Sequence, residues 1–188
     1  MNRPATLLVL LLAGLLAGCG GGSRPTGIRA AETPADDVAE YQPRWRSHTV
    51  DSTQYRKVFL AGTIDMGRSS DWQAALVARF RDSIGGRWLF FNPRRREFHA
   101  SPAEMEYQVA WELAHLEAAD LIVMNLLGDS RSPISLLEMG LYARSGKLFV
   151  ACSSDYYRYD NVRITCRRYG VPLYDSLTAL LDLSLIHI

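Results

Sequence analysis

The chain has 188 residues, 48% hydrophobic and 22% charged, with a formal net charge of +1. That is enough apolar material for one domain with a real core plus an appendage. The near-neutral balance excludes a global field that would favour nucleic acid or an anionic membrane surface, so no nucleic-acid partner is expected.

The first residues read as a targeting segment. Arg3 supplies a short basic region, and Leu7 to Leu16 an apolar one that is too short to favour a spanning helix. The apolar run ends in Leu16-Ala17-Gly18-Cys19. Small residues before a single cysteine resemble the lipobox of bacterial lipoproteins; an ordinary signal peptide is the alternative. The resemblance implies cleavage before Cys19, lipidation at Cys19, and an exported protein anchored to a membrane by lipid. Gly20 rather than Asp follows the cysteine, which by the same resemblance favours the outer membrane or cell surface over the inner membrane. The division expected is a signal at 1–18, a lipidated Cys19 with a flexible tether and arm over 19–56, a domain over 57–183 and a tail over 184–188. The tether is Gly-, Pro-, Ala- and acid-rich to about Ala39; Tyr41 to Tyr55 is a polar arm with scattered aromatics that packs on the domain.

Two cysteines remain, Cys152 and Cys166, and sequence leaves open whether they pair. The four histidines, 48, 99, 115 and 187, are dispersed, and no Cys/His cluster has metal-ligand spacing. No metal or cofactor is expected.

Within the domain, short apolar runs alternate with amphipathic stretches. Lys57 to Ala61 predicts a strand closed by Gly62. Ser70 to Ile84 predicts a helix with Trp72, Ala75, Leu76, Val77 and Phe80 as its apolar stripe, ended by Gly85-Gly86. Arg87 to Phe91 predicts a strand stopped by Asn92-Pro93. Ser101-Pro102-Ala103-Glu104 is a capped start for a helix running to about Ala118. Asp120 to Leu126 predicts a buried strand, and a helix opens at Ser132-Pro133 and stops near Gly146. Lys147 to Cys152 is a fourth strand. Tyr156 to Tyr169 is irregular or helical, Val171 to Leu173 a short strand, and Ser176 to Leu183 a last helix. This alternation requires a parallel sheet with right-handed crossovers. The fold expected is α/β, flavodoxin-like or Rossmann-like, with four to five strands in the order 2-1-3-4-5 and helices on both faces. In such sheets ligands bind beyond the carboxyl ends of the strands.

Familiar nucleotide motifs are missing. Gly62-Thr63-Ile64-Asp65-Met66-Gly67 lacks the third glycine of a dinucleotide fingerprint, and no P-loop or Gly-x-Ser-x-Gly elbow occurs. The informative residues are acids. At helical spacing Ile134, Leu137 and Leu141 form one apolar face, and Glu138 falls beside Leu137 on it. In the preceding helix Met105, Val109, Leu113 and Leu116 set the apolar face, with Gln108 and Glu112 on or beside it and four residues apart. A carboxylate facing a core must be paired, hydrogen-bonded or used. Two acids from successive helices suit glycosidic bond cleavage, in which one attacks the anomeric carbon and another group manages the leaving-group proton.

The strings Val58 to Gly67, Asp71-Trp72-Gln73, Asn92-Pro93-Arg94-Arg95, Gln108 to Glu112 with Ala119-Asp120, and Ser132 to Gly140 resemble the nucleoside 2-deoxyribosyltransferase-like family. The likeness covers about Lys57 to Val162. It implies Glu138 as nucleophile and Glu112 as the acid that serves the leaving base. It implies a substrate pocket at Gly62, Asp65, Asp71, Trp72, Asn92, Gln108 and Ser132, and Asn161 lent to a neighbouring subunit's site in a homo-oligomer. Trp72 or Tyr142 stacks on the base or belongs to the core. Arg94 to Arg96 either hold a substrate phosphate or form a solvated basic loop. Well-studied members carry an Asp six residues before the nucleophile, where this chain has Ser132, so sugar recognition differs here. The function expected is N-glycosidic cleavage or transfer on 2′-deoxyribonucleosides or nucleotides. The alternatives are a lipoprotein that binds nucleosides without turnover and a hydrolase of a related N-glycoside such as NAD.

Overall fold

The computed structural model describes residues 37–97, 99 and 101–185. The expected signal segment, Cys19, the expected tether up to residue 36 and residues 186–188 of the expected tail lie outside the described residues. One sheet runs through the domain, with strands β1 (Val38–Gln42), β2 (Trp45–Arg46), β3 (Arg56–Gly62), β4 (Trp88–Phe91), β5 (Leu121–Leu126), β6 (Leu148–Cys152) and β7 (Leu173–Tyr174). Their order is β2-β1-β4-β3-β5-β6-β7. All pairs are parallel except the β1–β2 hairpin. The expected 2-1-3-4-5 order is present as β4-β3-β5-β6-β7.

The strand count corrects the expectation of four to five: there are seven. Both additions come from the segment read as tether and arm. β1 aligns Val38 with Trp88 through Tyr41 with Phe91. Its Ala39 and Tyr41 pack into one core and Val38 into the other. The strand is short, carries Glu40 and Gln42, and ends at Pro43, so it lacks the continuous apolar run that marks the other buried strands.

Five helices cover the sheet: α1 (Trp72–Ser83), α2 (Pro102–Ala118), α3 (Pro133–Tyr142), α4 (Tyr159–Tyr169) and α5 (Leu177–Leu180). On one face α2 contributes Leu116, α3 Met139 and Tyr142, and α4 Val162 and Cys166. On the other, α1 contributes Trp72, Leu76, Val77 and Phe80, and α5 contributes Leu180. Phe80 meets both Trp88 and Phe90 edge-on at 5.0 Å. The ends are chemically closed. Ser101 Oγ accepts from Glu104 N–H at 3.1 Å to cap α2. Lys147 Nζ donates to the carbonyls of Leu116, Glu117 and Ala119 and so gathers the orphan acceptors at the far end of α2.

α1 buries its predicted stripe, Ala75 excepted. α2 and α3 do the opposite. Ile134, Leu137 and Leu141 are 59%, 62% and 57% exposed, and Met105, Val109 and Leu113 are exposed as well. The inward face of α3 is Ser135, Glu138, Met139 and Tyr142. Glu138 does turn inward, but on the side away from the leucines that suggested it. α3 also stops at Tyr142 rather than near Gly146, where Ser145 Oγ donates to Tyr142 O at 2.7 Å. Cys152 and Cys166 are buried free thiols; burial pushes them up to about 12 and about 11.

Candidate functional site

The site begins where β3 ends. Gly62 has φ +123°, and a Cβ there would lie 2.2 Å from Asn125 O. Only glycine lets β3 close against β5 at this point. The next residue, Thr63, donates its N–H to Asn125 O at 2.9 Å. Thr63 Oγ1 accepts from Leu127 N–H at 3.1 Å and meets Ser132 Oγ at 2.8 Å. Ser132 Oγ meets Ser130 Oγ at 2.7 Å, and Ser130 Oγ donates to Asp65 Oδ1 at 2.9 Å. Each hydroxyl has one hydrogen to give. Ser130 gives its own to Asp65, so Ser132 must donate to Ser130 and Thr63 to Ser132. The result is a directed chain from Thr63 to the Asp65 carboxylate.

That chain explains the helix start beside it. Ser132 is the N-cap of α3 with Pro133 at the first position, yet its side chain makes no capping bond and its φ is 40°. Its hydroxyl is committed sideways instead. Asp65 and Met66 also sit in the left-handed region, at φ 48° and 53°. Three strained non-glycine residues thus flank the loops after β3 and β5, as is common where a fold holds a site.

The loop after β4 is fastened separately. Asn92 is buried, donates Nδ2 to Glu40 Oε1 at 2.8 Å, and accepts from Arg94 N–H at 3.0 Å. Arg94 reaches Gln73 Oε1, Ser69 Oγ and Ser70 O, and pairs with Asp71 at 3.4 Å. Arg95 donates to Gln108 Oε1 and pairs with Glu104 at 2.6 Å. Arg96 lies over the Trp45 ring at 3.8 Å. Arg94 and Arg95 are therefore neither a solvated loop nor spare guanidiniums; both are engaged within the fold.

Gln108 carries the arrangement onto α2. Its Nε2 donates to Pro93 O at 3.1 Å and to Glu112 Oε1 at 2.6 Å. Glu112 is partly buried. Burial raises its carboxyl, while the Gln108 hydrogen bond and the Arg95 charge pull it back down. Glu138 is only 8% exposed. Burial first, and the Glu112 charge second, push it up to about 8. The Glu112 charge on α2 thus reaches Glu138 on α3, and the two acids are unequally supported. Glu112 has a hydrogen-bond donor and a nearby cation, whereas Glu138 has mainly desolvation. At neutral pH Glu138 therefore holds its proton.

The other expected site residues fall into distinct places. Gly62, Asp65 and Ser132 come together around the hydroxyl chain, and Gln108 joins Glu112. Asn92 organises the Arg94 loop. Asp71 is an exposed N-cap, accepting from Ala74 N–H at 3.0 Å. Trp72 and Tyr142 take the core reading, and the Trp72 indole N–H donates to Thr63 O at 2.8 Å. Asn161 is exposed on α4. Sequence reasoning did not single out Thr63, Ser130 or Glu40. Thr63 lay inside a string already noted, whereas Ser130 and Glu40 left no local signal because their partners lie 65 and 52 residues away.

A wound α/β domain with two inward carboxyls on the helices that follow β4 and β5 is the class of protein that fold and site define. Residues 55–156 match the nucleoside 2-deoxyribosyltransferase-like family, and the chain belongs to that family. At the level of the family this means nucleoside glycosyl transfer, with a small-molecule nucleoside as the partner. No curated protein matches the chain.

Proposed function

We propose that the domain cleaves the N-glycosidic bond of 2′-deoxyribonucleosides or nucleotides, with Glu138 as nucleophile and Glu112 as proton donor. The observation that carries this reading is that the charge of the partly buried Glu112 reaches the buried Glu138 carboxyl. The singly protonated pair contains one carboxylate and one acid, the inventory the reaction needs. The resting proton moves from Glu138 to Glu112. Ionised Glu138 then bonds to C1′ as the C–N bond breaks, and the electron pair leaves with the base nitrogen, which takes the Glu112 proton. A second base or water, giving up its proton to the Glu112 carboxylate, next captures the sugar at C1′ and frees the Glu138 carboxylate, giving net retention. The Asp65-linked hydroxyls hold the start of α3, and so the Glu138 backbone, in register with the loop after β3.

Whether the acceptor is a base or water turns on the sugar pocket, where Ser132 stands in place of the acid of well-studied members. We further propose a homo-oligomer to which Asn161 is lent across the interface. The exposed apolar faces of α2 and α3 and the exposed Asn161 support it. Anchoring by lipid at Cys19, on the outer membrane or cell surface, rests on the residues around that cysteine.

The test is base release from deoxynucleosides by the full chain and by Glu138→Ala. Release by the variant falls at least about 10³-fold if Glu138 is the nucleophile. Release equal to the native rate removes it from that role. Saturable calorimetric binding with no release by the native chain selects the nucleoside-binding alternative.

A further inference from the structure

A second hollow lies away from the acids, between the β1–β2 hairpin and α2. Its volume is about 380 Å³, within the range of small-ligand sites. Four rings line it, Tyr41, Trp45, Tyr107 and Trp111, together with Arg44 and Arg46. Among the described residues no carboxylate lines it. Arg44 stands over Tyr107 at 4.1 Å and Arg46 over Tyr41 at 4.7 Å. Arg44 pairs with Glu104, which Arg95 also engages, but Arg46 has no carboxylate partner among the described residues. The walls thus offer flat apolar faces beside an uncompensated guanidinium. This excludes a cationic guest and favours an anionic one that carries a ring.

Two further groups refine the guest. Gln42 Nε2 is used on Glu40 at 3.0 Å, while its Oε1 is buried with no partner. His115 Nδ1 lies 2.7 Å from Trp111 O. A carbonyl can only accept, so Nδ1 carries the hydrogen. Burial, opposed by the hydrogen bond to Trp111 O and aided by the Arg46 charge, lowers the ring's affinity for a second proton and so favours the neutral form. Its Nε2 is then an acceptor. The cavity therefore offers one acceptor, His115 Nε2, that calls for an N–H donor on the ring of the guest, with the unpartnered Gln42 Oε1 buried behind the wall.

We propose that this hollow is a second ligand site, for a nucleoside monophosphate whose base carries an amino group. The base lies among Tyr41, Trp45 and Trp111, its amino group meets His115, and the phosphate is held by Arg46. The assignment does not rest on the reaction proposed above. Trp111 and His115 face this hollow, while Gln108 and Glu112 on the same helix belong to the acids, so the two sites share α2 but not their side chains.

The test is calorimetry on the full chain carrying Glu138→Gln, titrated with 2′-deoxyadenosine 5′-monophosphate, 2′-deoxyadenosine and inorganic phosphate. The monophosphate binds at least about tenfold more tightly than either fragment, since stacking and the charged contact each contribute about that factor. Adding Arg46→Gln or Trp45→Ala weakens that binding component about tenfold or more. The same two substitutions in the native background leave base release unchanged. Arg46→Gln is an exposed change that leaves the hairpin's packing in place, so it stands even if Trp45→Ala fails to fold. Isotherms unaltered by Arg46→Gln, or fragments that bind as tightly as the whole nucleotide, overturn the proposal. Base release lost together with binding overturns it too, because the nucleotide would then be occupying the site of the acids. Loss of Glu138 activity with this binding intact, or the reverse, separates the two claims.

Discussion

Helix α1 and the pair α2–α3 lie on opposite faces of the same sheet and treat their apolar residues in opposite ways. α1 buries Trp72, Leu76, Val77 and Phe80 and leaves its polar side to solvent. α2 and α3 turn Gln108, Glu112, Ser135 and Glu138 inward and present Met105, Val109, Leu113, Ile134, Leu137 and Leu141 outward. The contrast teaches that an apolar stripe marks the face a helix must cover, not the face that meets its own core. For α1 the two are the same. For α2 and α3 the inner face is occupied by a polar site, and the outer face is left for something other than this chain's sheet.

Four substitutions sharpen or break that contrast. The largest effect is expected at the inward polar face. Glu112→Gln lowers base release about 10²- to 10⁴-fold, as loss of a general acid does. In the native protein kcat/KM follows a bell in pH. Its alkaline limb falls near about 8 as the pair loses its last proton, and Glu112→Gln abolishes that limb. A flat native profile would separate the acids from the chemistry.

Next is the ordinary core. Phe80→Ala removes a fully buried ring from between Trp88 and Phe90, and denaturant melts show a loss of about 3–5 kcal/mol. Glu138→Gln acts in the other direction. The folded state holds the Glu138 proton up to about 8 against an ordinary 4.5, so the native protein binds that proton more tightly than the unfolded chain. Its contribution is fully present below about pH 4.5 and is lost as pH rises through about 8. Glu138→Gln therefore raises the melting temperature above pH 8, on the order of a few kcal/mol in stability, and changes little near pH 4.5. Equal melting curves at high pH would mean that Glu138 is better solvated than its burial implies. The smallest effect is at the outward apolar face. Leu137→Ser alters monomer stability by less than about 0.5 kcal/mol, and under the proposed homo-oligomer its sedimentation shows a smaller assembly than that of the native chain. A large loss of monomer stability would show that Leu137 is packed against its own domain.

The same contrast explains what could be read from the residues. The five central strands, their order and the two acid-bearing helices were legible because buried parallel strands are continuous apolar runs and caps such as Ser101-Pro102 are local. The Ser132 to Gly140 string pointed to Glu138, which is buried, even though the face assigned to its neighbours was reversed. β1 and β2 were hidden by Pro43 and by the polar Glu40 and Gln42; Glu40 accepts from Gln42 and from Asn92, 52 residues away. The Thr63–Ser132–Ser130–Asp65 chain was hidden because nothing in one loop announces the loop that will meet it 65 residues later. Side chains that act through distant partners leave no periodicity to find.

The central claim is that Glu138 bonds to the sugar. The most direct measurement quenches the full chain in acid during turnover of a 2′-deoxynucleoside and examines its peptides by mass spectrometry. A deoxyribosyl group on Glu138, absent from Glu138→Gln, is the predicted result. Turnover at the native rate with no sugar on Glu138, or with the sugar on another residue, contradicts it.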